Sequence, residues 1–196
     1  MDTRTPCPIC RTSNVTRAAA GTNTAEIHCP RCGRFQVQTL AETQLMNSPP
    51  AFPPQHLLSG LCRNTWDILG EKLLITVDLF KSWAELDKVS KLALPRDTDL
   101  ATKGDYLLKH LRRRSKSLAE SVAFSPNELA VGFCANKSEL RFCLRYLAEK
   151  ALIEEESAAP RKGQPPSSGL TYRLTPAGWA ALDAATAPKA QPVAVV

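Results

Sequence analysis

Four cysteines near the start of the chain have the spacing of metal ligands. Cys7 and Cys10 form one Cys-x-x-Cys pair, Cys29 and Cys32 form a second, and eighteen residues separate the pairs. Each pair can bring two thiolates onto one tight turn, and two facing turns give the closed tetrahedral sulfur shell of structural Zn²⁺. Two disulfides are the alternative, but the opening residues carry no secretion signal. The spacing therefore predicts a structural zinc site that does not need His28 as a ligand.

A second group of residues with potential chemistry is basic and lies on one predicted helix. Its members are Lys109, His110, Arg112, Arg113, Arg114 and Lys116. Such a cluster can contact phosphates, because cationic side chains displace the counterions condensed on nucleic acid. The alternative is a solvated helix face, or one that is paired with acidic residues elsewhere. The formal net charge of +6 is compatible with an anionic partner without requiring one.

The elements around the cysteines are predicted as a small three-stranded ribbon. Residues 15–27 should form short strands, and FQVQTL at residues 35–40 alternates apolar and polar side chains as a third strand would. The segment NSPPAFPP at residues 47–54 contains four prolines and predicts a boundary.

Helical periodicity begins after this boundary. One predicted helix has an apolar face of Leu57, Leu58, Leu61, Cys62 and Leu69, and a second has Leu79, Phe80, Trp83 and Leu86. Pro95 should end that run. Thr98 or Asp99 can then cap a third helix that carries Leu107, Leu111, Leu118 and Val122 together with the basic cluster.

Two capping signals follow in the last third of the chain. Ser125, Pro126 and Glu128 form a complete helix start, and Asn136 with Glu139 repeats the pattern after a short turn. The second helix should place one row of side chains on the core, namely Leu140, Cys143, Leu144, Leu147 and Ala151. Its other face carries Ser138, Arg141, Arg145 and Glu149. This arrangement predicts a helix-turn-helix.

The following segments predict a hairpin with a long tip. LIEEE and LTYRLT are candidate strands, SAAPRKGQPPSSG is the loop between them, and Thr175 and Pro176 in LTPAGWAAL begin a closing helix. Residues 125–182 resemble the winged-helix domains of bacterial regulators. The resemblance implies nucleic-acid contacts by Asn136, Lys137, Ser138, Arg141 and Arg145 on the second helix, and by Arg161, Lys162 and Gln164 on the wing.

Other side chains on the same surface favour a protein partner instead. Phe142 and Tyr146 flank the basic face, and Glu149 and residues 154–156 add negative charge beside it. Exposed aromatic side chains are typical of protein interfaces. A winged helix can also serve dimerisation, and a homodimer is compatible with this sequence.

A second resemblance covers the order of the motifs. CPIC, CPRCGRF, LSGLCR at residues 58–63, a helical connector and LTPAGW are similar to the front portion of bacterial defence and mobile-element proteins that carry TIR-like effectors. No effector-sized segment follows Trp179 here. The resemblance therefore implies a recognition or sensing portion, with any effector on a separate chain.

Together these patterns predict an α+β, mainly helical fold. Its expected domains are a zinc ribbon at 1–46, a helical connector at 47–124, a winged helix-turn-helix at 125–183 and a disordered tail at 184–196. The expected function is non-enzymatic binding of nucleic acid, most simply duplex DNA, by a transcriptional regulator or targeting subunit; the alternative is a protein-interaction or sensing adaptor. No catalytic motif is found.

The remaining expectations concern the setting of the protein. No apolar run approaches the length of a membrane span, so we expect a cytoplasmic protein with no membrane partner. Cys62, Cys134 and Cys143 lie in apolar helical contexts and are odd in number, which predicts buried reduced thiols.

Overall fold

A computed structural model describes residues 5–96, 99–156 and 170–186. Over these residues the chain is a mixed α+β structure with six α-helices and two small sheets, so the predicted α+β class is confirmed. None of the helices in this part of the chain is long and apolar enough to cross a membrane.

The N-terminal sheet has the strand order β1-β2-β3-β4. Its strands are β1 (Thr16–Gly21), β2 (Thr24–Cys29), β3 (Gly33–Gln38) and β4 (Leu73–Ile75). The first three are the three strands that the sequence predicted, and they pair antiparallel; β4 adds a parallel edge strand to β3. The third strand ends earlier than predicted, because Thr39 and Leu40 begin helix α1 (Thr39–Asn47). Residues 47–124, predicted as a helical connector, contain this strand in addition to helices.

The helices of the middle segment differ from the predicted pattern. Helix α2 (Gln55–Asn64) buries the predicted leucines and Cys62, but it passes into a π-helical turn at Thr65–Leu69 that leaves Leu69 exposed. The second predicted helix divides into a 3₁₀ turn (Val77–Phe80) and helix α3 (Trp83–Val89). The division occurs where Ser82 adopts extended backbone and its hydroxyl caps the Glu85 N–H.

Helix α4 (Leu100–Arg114) carries the predicted basic cluster up to Arg114. Asp99 caps it, with the carboxylate accepting from the Thr102 N–H at 3.0 Å, while Thr98 lies outside the described residues. The prediction that Leu118 and Val122 belong to this helix is wrong. Helix α4 ends at Arg114, because Ser115 adopts extended backbone and its hydroxyl donates to the Glu120 carbonyl at 3.4 Å. Leu118 is exposed beyond this turn, and Val122 begins strand β5 (Val122–Phe124).

The C-terminal sheet has the order β5-β7-β6, with antiparallel pairing throughout. Strands β6 (Ile153–Glu155) and β7 (Leu170–Leu174) are the predicted hairpin strands. The Ser125 capping box is present, but it begins only a 3₁₀ turn (Pro126–Leu129). Helix α5 (Lys137–Glu149) follows, capped by Asn136, and buries four of the five predicted core residues. Ala151 is instead exposed beyond the end of the helix with a φ of 55°.

The buried side chains form two cores, one that includes the N-terminal sheet and one that includes the C-terminal sheet. Phe35, Leu61 and Ile75 lie in one core with Tyr106 of α4 and Phe133, which precedes α5. The Tyr106 and Phe133 rings lie 4.9 Å apart between centroids. The N-terminal sheet is therefore packed through the middle helices against the segment that leads into α5.

Helix α6 (Pro176–Thr186) closes the C-terminal core. The Thr175 hydroxyl accepts from the Gly178 N–H at 3.1 Å, so the predicted cap is confirmed. Gly178 has a steric role, because a Cβ at this position would overlap the Leu152 carbonyl oxygen. The disordered tail was predicted to begin at residue 184, but residues 184–186 belong to α6. Residues 187–196 lie outside the described residues.

Candidate metal centre and nucleic-acid interface

The four predicted metal ligands converge at one end of the N-terminal sheet. The sulfur atoms of Cys7, Cys10, Cys29 and Cys32 all lie within 4.8 Å of one another. The Cys7–Cys32 and Cys10–Cys29 sulfur distances are 3.8 and 3.5 Å. A tetrahedral Zn²⁺ with bonds of about 2.3 Å requires sulfur separations of about 3.8 Å. Since all the cysteines in the described residues are free, the disulfide alternative is not found, and the cluster can hold a metal ion.

Two local turns place these cysteines. The loop before β1 returns on itself through a hydrogen bond from the Arg11 N–H to the Cys7 carbonyl at 3.0 Å. The second pair joins β2 to β3, where the Cys32 N–H lies 3.4 Å from the Cys29 sulfur. Gly33 follows with a φ of 75°, a conformation that glycine adopts without a steric penalty. Both turns are encoded within a few residues of the cysteines, so the spacing was sufficient to predict them.

The surroundings of the cluster add polar contacts and burial. The Ser59 hydroxyl of α2 lies 3.1 Å from the Cys32 sulfur, and the Thr12 hydroxyl lies 3.2 Å from the Cys10 sulfur. Burial raises the pKa of the Cys32 thiol, whereas hydrogen bonds from Cys29 and Cys32 lower the pKa of Cys10. A bound divalent cation would compensate the buried thiolate charge. Sequence reasoning missed Ser59, because it is distant in sequence from the cysteines and carries no motif.

The basic cluster of α4 is largely paired with carboxylates. Arg112 contacts Asp183 at 2.7 Å, Arg113 contacts Asp67 at 3.4 Å and Arg114 contacts Glu128 at 3.1 Å. Lys116 is exposed beyond the end of the helix. The pairing is the alternative that the sequence left open for this cluster. These arginines therefore offer less uncompensated charge to an external anion than their number suggests.

His110 is not on the exposed face of α4, so its predicted place in the basic cluster is wrong. It is 2% exposed, its ring lies 5.8 Å from that of Phe124, and its Nε2 has no hydrogen-bond partner in the described residues. Burial, followed by the nearby charge of Arg113, lowers the pKa of His110 to about 4. The imidazole is therefore a neutral core group at physiological pH.

This burial predicts a loss of stability in mild acid. His110 is protonated near pH 6.5 in the unfolded chain and only near pH 4 in the folded chain. Its contribution to the unfolding free energy is therefore fully present above pH 6.5 and is lost progressively as the pH falls towards 4. We expect this residue to account for about 2 kcal/mol of lost unfolding free energy between pH 7.5 and pH 5. Urea titrations of the wild type and His110→Leu at both pH values measure it. Equal pH dependence in the two proteins would contradict the assignment.

The exposed face of α5 carries the other predicted nucleic-acid contacts. Lys137, Ser138, Arg141 and Arg145 are exposed, and no carboxylate in the described residues forms an ion pair with the three cations. Asn136 is also exposed, but its side-chain oxygen accepts from the Glu139 N–H at 3.0 Å as the helix cap. The predicted wing contacts Arg161, Lys162 and Gln164 lie outside the described residues.

Aromatic and acidic groups border this face. Phe142 is 60% exposed, and Tyr146 is partly buried with the Lys150 ammonium 5.0 Å from its ring centroid. Glu149 is exposed, whereas Glu154 forms an ion pair with Arg173. The apolar surface that favours a protein partner is thus mainly the Phe142 ring.

A buried ion pair fixes the beginning of α5. The Lys103 ammonium, on a side chain that is 3% exposed, lies 2.5 Å from a Glu139 carboxylate oxygen. The other Glu139 oxygen accepts from the Ala135 N–H at 2.7 Å. Lys103 therefore orients the turn from which the exposed face of α5 starts. Sequence reasoning missed Lys103, because the residue types around it indicate an exposed helical position.

Comparisons with known proteins add no relative to these observations. The chain matches no protein-family model, no curated protein and no solved structure.

Proposed function

We propose that this chain is a zinc-stabilised, non-enzymatic protein that binds duplex DNA, as a transcriptional regulator or as a targeting subunit. The observation that carries the proposal is the contrast between two sets of cations. The arginines of α4 are paired with carboxylates, whereas Lys137, Arg141 and Arg145 on α5 have no ion-pair partner in the described residues. Unpaired cations on one helix face can bind phosphates without first breaking an internal contact.

The arrangement around α5 supports a winged helix-turn-helix. A capped 3₁₀ turn and a tight turn at Phe133 precede α5, and β6 and β7 follow it as an antiparallel pair. Helix α5 has 13 residues and is therefore about 20 Å long. An α-helix with its side chains is about 10–12 Å in diameter, and the major groove, about 12 Å wide, admits it. Lys137 and Ser138 lie at its exposed amino end, from which helices of this class contact base edges.

The metal centre has a structural role in this proposal. We assign Zn²⁺ because a closed shell of four thiolates is typical of structural zinc, and three of the four cysteines are buried. The predicted zinc ribbon, which ends at residue 46, would then have β4 as an added edge strand. The reduced cysteines fit a cytoplasmic protein.

The proposal is tested by titrating the zinc-loaded protein against fluorescent duplex DNA, single-stranded DNA and RNA at two salt concentrations. We expect tightest binding to the duplex, with an affinity that falls steeply as salt rises, because phosphate contacts release counterions. No binding to any nucleic acid at low salt would contradict the proposal. Preference for RNA or for a single strand would contradict its duplex specificity.

A second candidate function is supported by Phe142. An aromatic ring that is 60% exposed beside cations is the composition of a protein-binding surface, so the same face could dock a separate effector chain or a second copy. In that case Phe142→Ala, or Tyr146→Ala, should abolish a complex while circular dichroism shows an intact fold. Light scattering on the wild type and Phe142→Ala tests the homodimer, and equal masses for both would count against it.

A further inference from the structure

A cavity lies between the candidate metal centre and the turn that precedes α5. Its volume is about 240 Å³, and its lining comprises Cys10, Arg31, Gln55, His56, Ser59 and Ala135. It thus receives side chains from the metal-binding loops, from the first turn of α2 and from the segment next to the α5 cap. No carboxylate of the described residues belongs to this lining.

Arg31 is the principal cation of the cavity. It lies between Cys29 and Cys32, so the metal-binding loop fixes its backbone. Its Nε is buried without a hydrogen-bond partner, and no carboxylate in the described part of the chain forms an ion pair with it. Guanidinium groups bind phosphate oxygens through paired N–H donors of well-defined geometry. Arg31 therefore brings a guanidinium to the cavity that is not neutralised by a carboxylate of the described residues.

The start of α2 adds to the same electrostatic environment. Gln55 and His56 are its first two residues, and Pro54 at the cap position supplies no side-chain hydrogen bond to the helix. The amino end of a helix carries a partial positive charge and free N–H groups, both of which favour anions. A guanidinium, an imidazole and a helix amino end therefore surround one cavity.

The position of the cavity identifies the source of the anion. Ala135 lines the cavity and directly precedes Asn136, the cap of α5, so the cavity adjoins the amino end of the exposed basic face. We propose that the cavity of Arg31 and His56 binds a backbone phosphate of the duplex DNA that α5 contacts. This inference rests on the proposed function and extends the interface from the C-terminal domain to the metal-binding loop.

The test is a salt series of duplex affinities for the zinc-loaded full chain and its variants. We expect Arg31→Ala to weaken binding about tenfold at low salt and to lower the slope of log affinity against log salt by about one, as loss of one phosphate contact should. His56→Ala should weaken binding in the same direction. Arg31→Lys should retain the slope, and Lys88→Ala, which removes a cation of an exposed ion pair on α3, should have no effect.

The outcomes separate this inference from the proposed function. Zinc content and circular dichroism are measured first, because Arg31 lies inside the metal-binding loop. If the wild type binds duplex DNA, and both Arg31→Ala and His56→Ala bind it as tightly as the wild type does, the inference is overturned while the proposed function stands. If the wild type does not bind, the function itself fails. Inorganic phosphate is the second probe: if it raises the melting temperature in an Arg31-dependent manner without any effect of Arg31→Ala on duplex affinity, the cavity is a small-anion site.

Discussion

Removal of the metal by a chelator is expected to unfold the N-terminal sheet together with the helices packed on it. Binding of structural Zn²⁺ contributes about 10 kcal/mol or more to small domains, which is comparable to the whole stability of a typical protein. The cysteine cluster belongs to the same core as Leu61, Ile75 and Tyr106, so the loss should extend to α2 and β4. Cys29→Ser should have the same effect. Near-ultraviolet circular dichroism and elemental analysis measure both.

The matched control for this prediction is Cys62→Ala. Cys62 is fully buried in the same core but lies outside the sulfur cluster. Its truncation should cost only about 1 kcal/mol and leave the metal content unchanged. An apoprotein that retains the melting temperature and near-ultraviolet spectrum of the zinc-loaded form would contradict the structural role of the metal.

The double variant Arg141→Ala/Arg145→Ala is expected to lose about a hundredfold in duplex affinity at low salt. Each arginine is exposed and unpaired in the described residues, so each can contribute one phosphate or base contact of about 1.4 kcal/mol. The slope of log affinity against log salt should become shallower by about two, or about one for each lost phosphate contact. Fluorescence anisotropy against a labelled duplex measures both quantities.

A second double variant controls for net charge. Arg112→Ala/Arg113→Ala removes the same charge from α4, where both arginines contact aspartates. Its affinity should change less than about threefold, since these cations are already compensated. If both double variants weaken binding equally, total charge determines the affinity and α5 has no special role.

The features predicted most accurately from sequence are those encoded within a few residues. The two Cys-x-x-Cys pairs, the Ser125 capping box and the Asn136 cap each depend on side chains that contact nearby backbone, and the structure contains all of them. Helix α5 was found for the same reason, because its cap and apolar period agree. At these positions the local side-chain contacts and the overall fold favour the same backbone structure.

The features that sequence reasoning missed depend on distant partners. Strands β4 and β5 have three residues each, and each pairs with a strand that is more than 30 residues away in sequence. Arg113 contacts Asp67, which is 46 residues away in sequence, and no pattern around Arg113 indicates this partner. The buried positions of Lys103 and His110 likewise follow from packing of α4 against its neighbours. Tertiary contacts therefore decided which basic residues remain unpaired.

Ultraviolet crosslinking and mass spectrometry of the zinc-loaded complex would locate the DNA on the protein. We expect crosslinked peptides from the exposed face of α5, between Lys137 and Arg145, and their loss in Arg141→Ala/Arg145→Ala. Crosslinks confined to α4, or no crosslinks at low salt, would contradict duplex binding through α5.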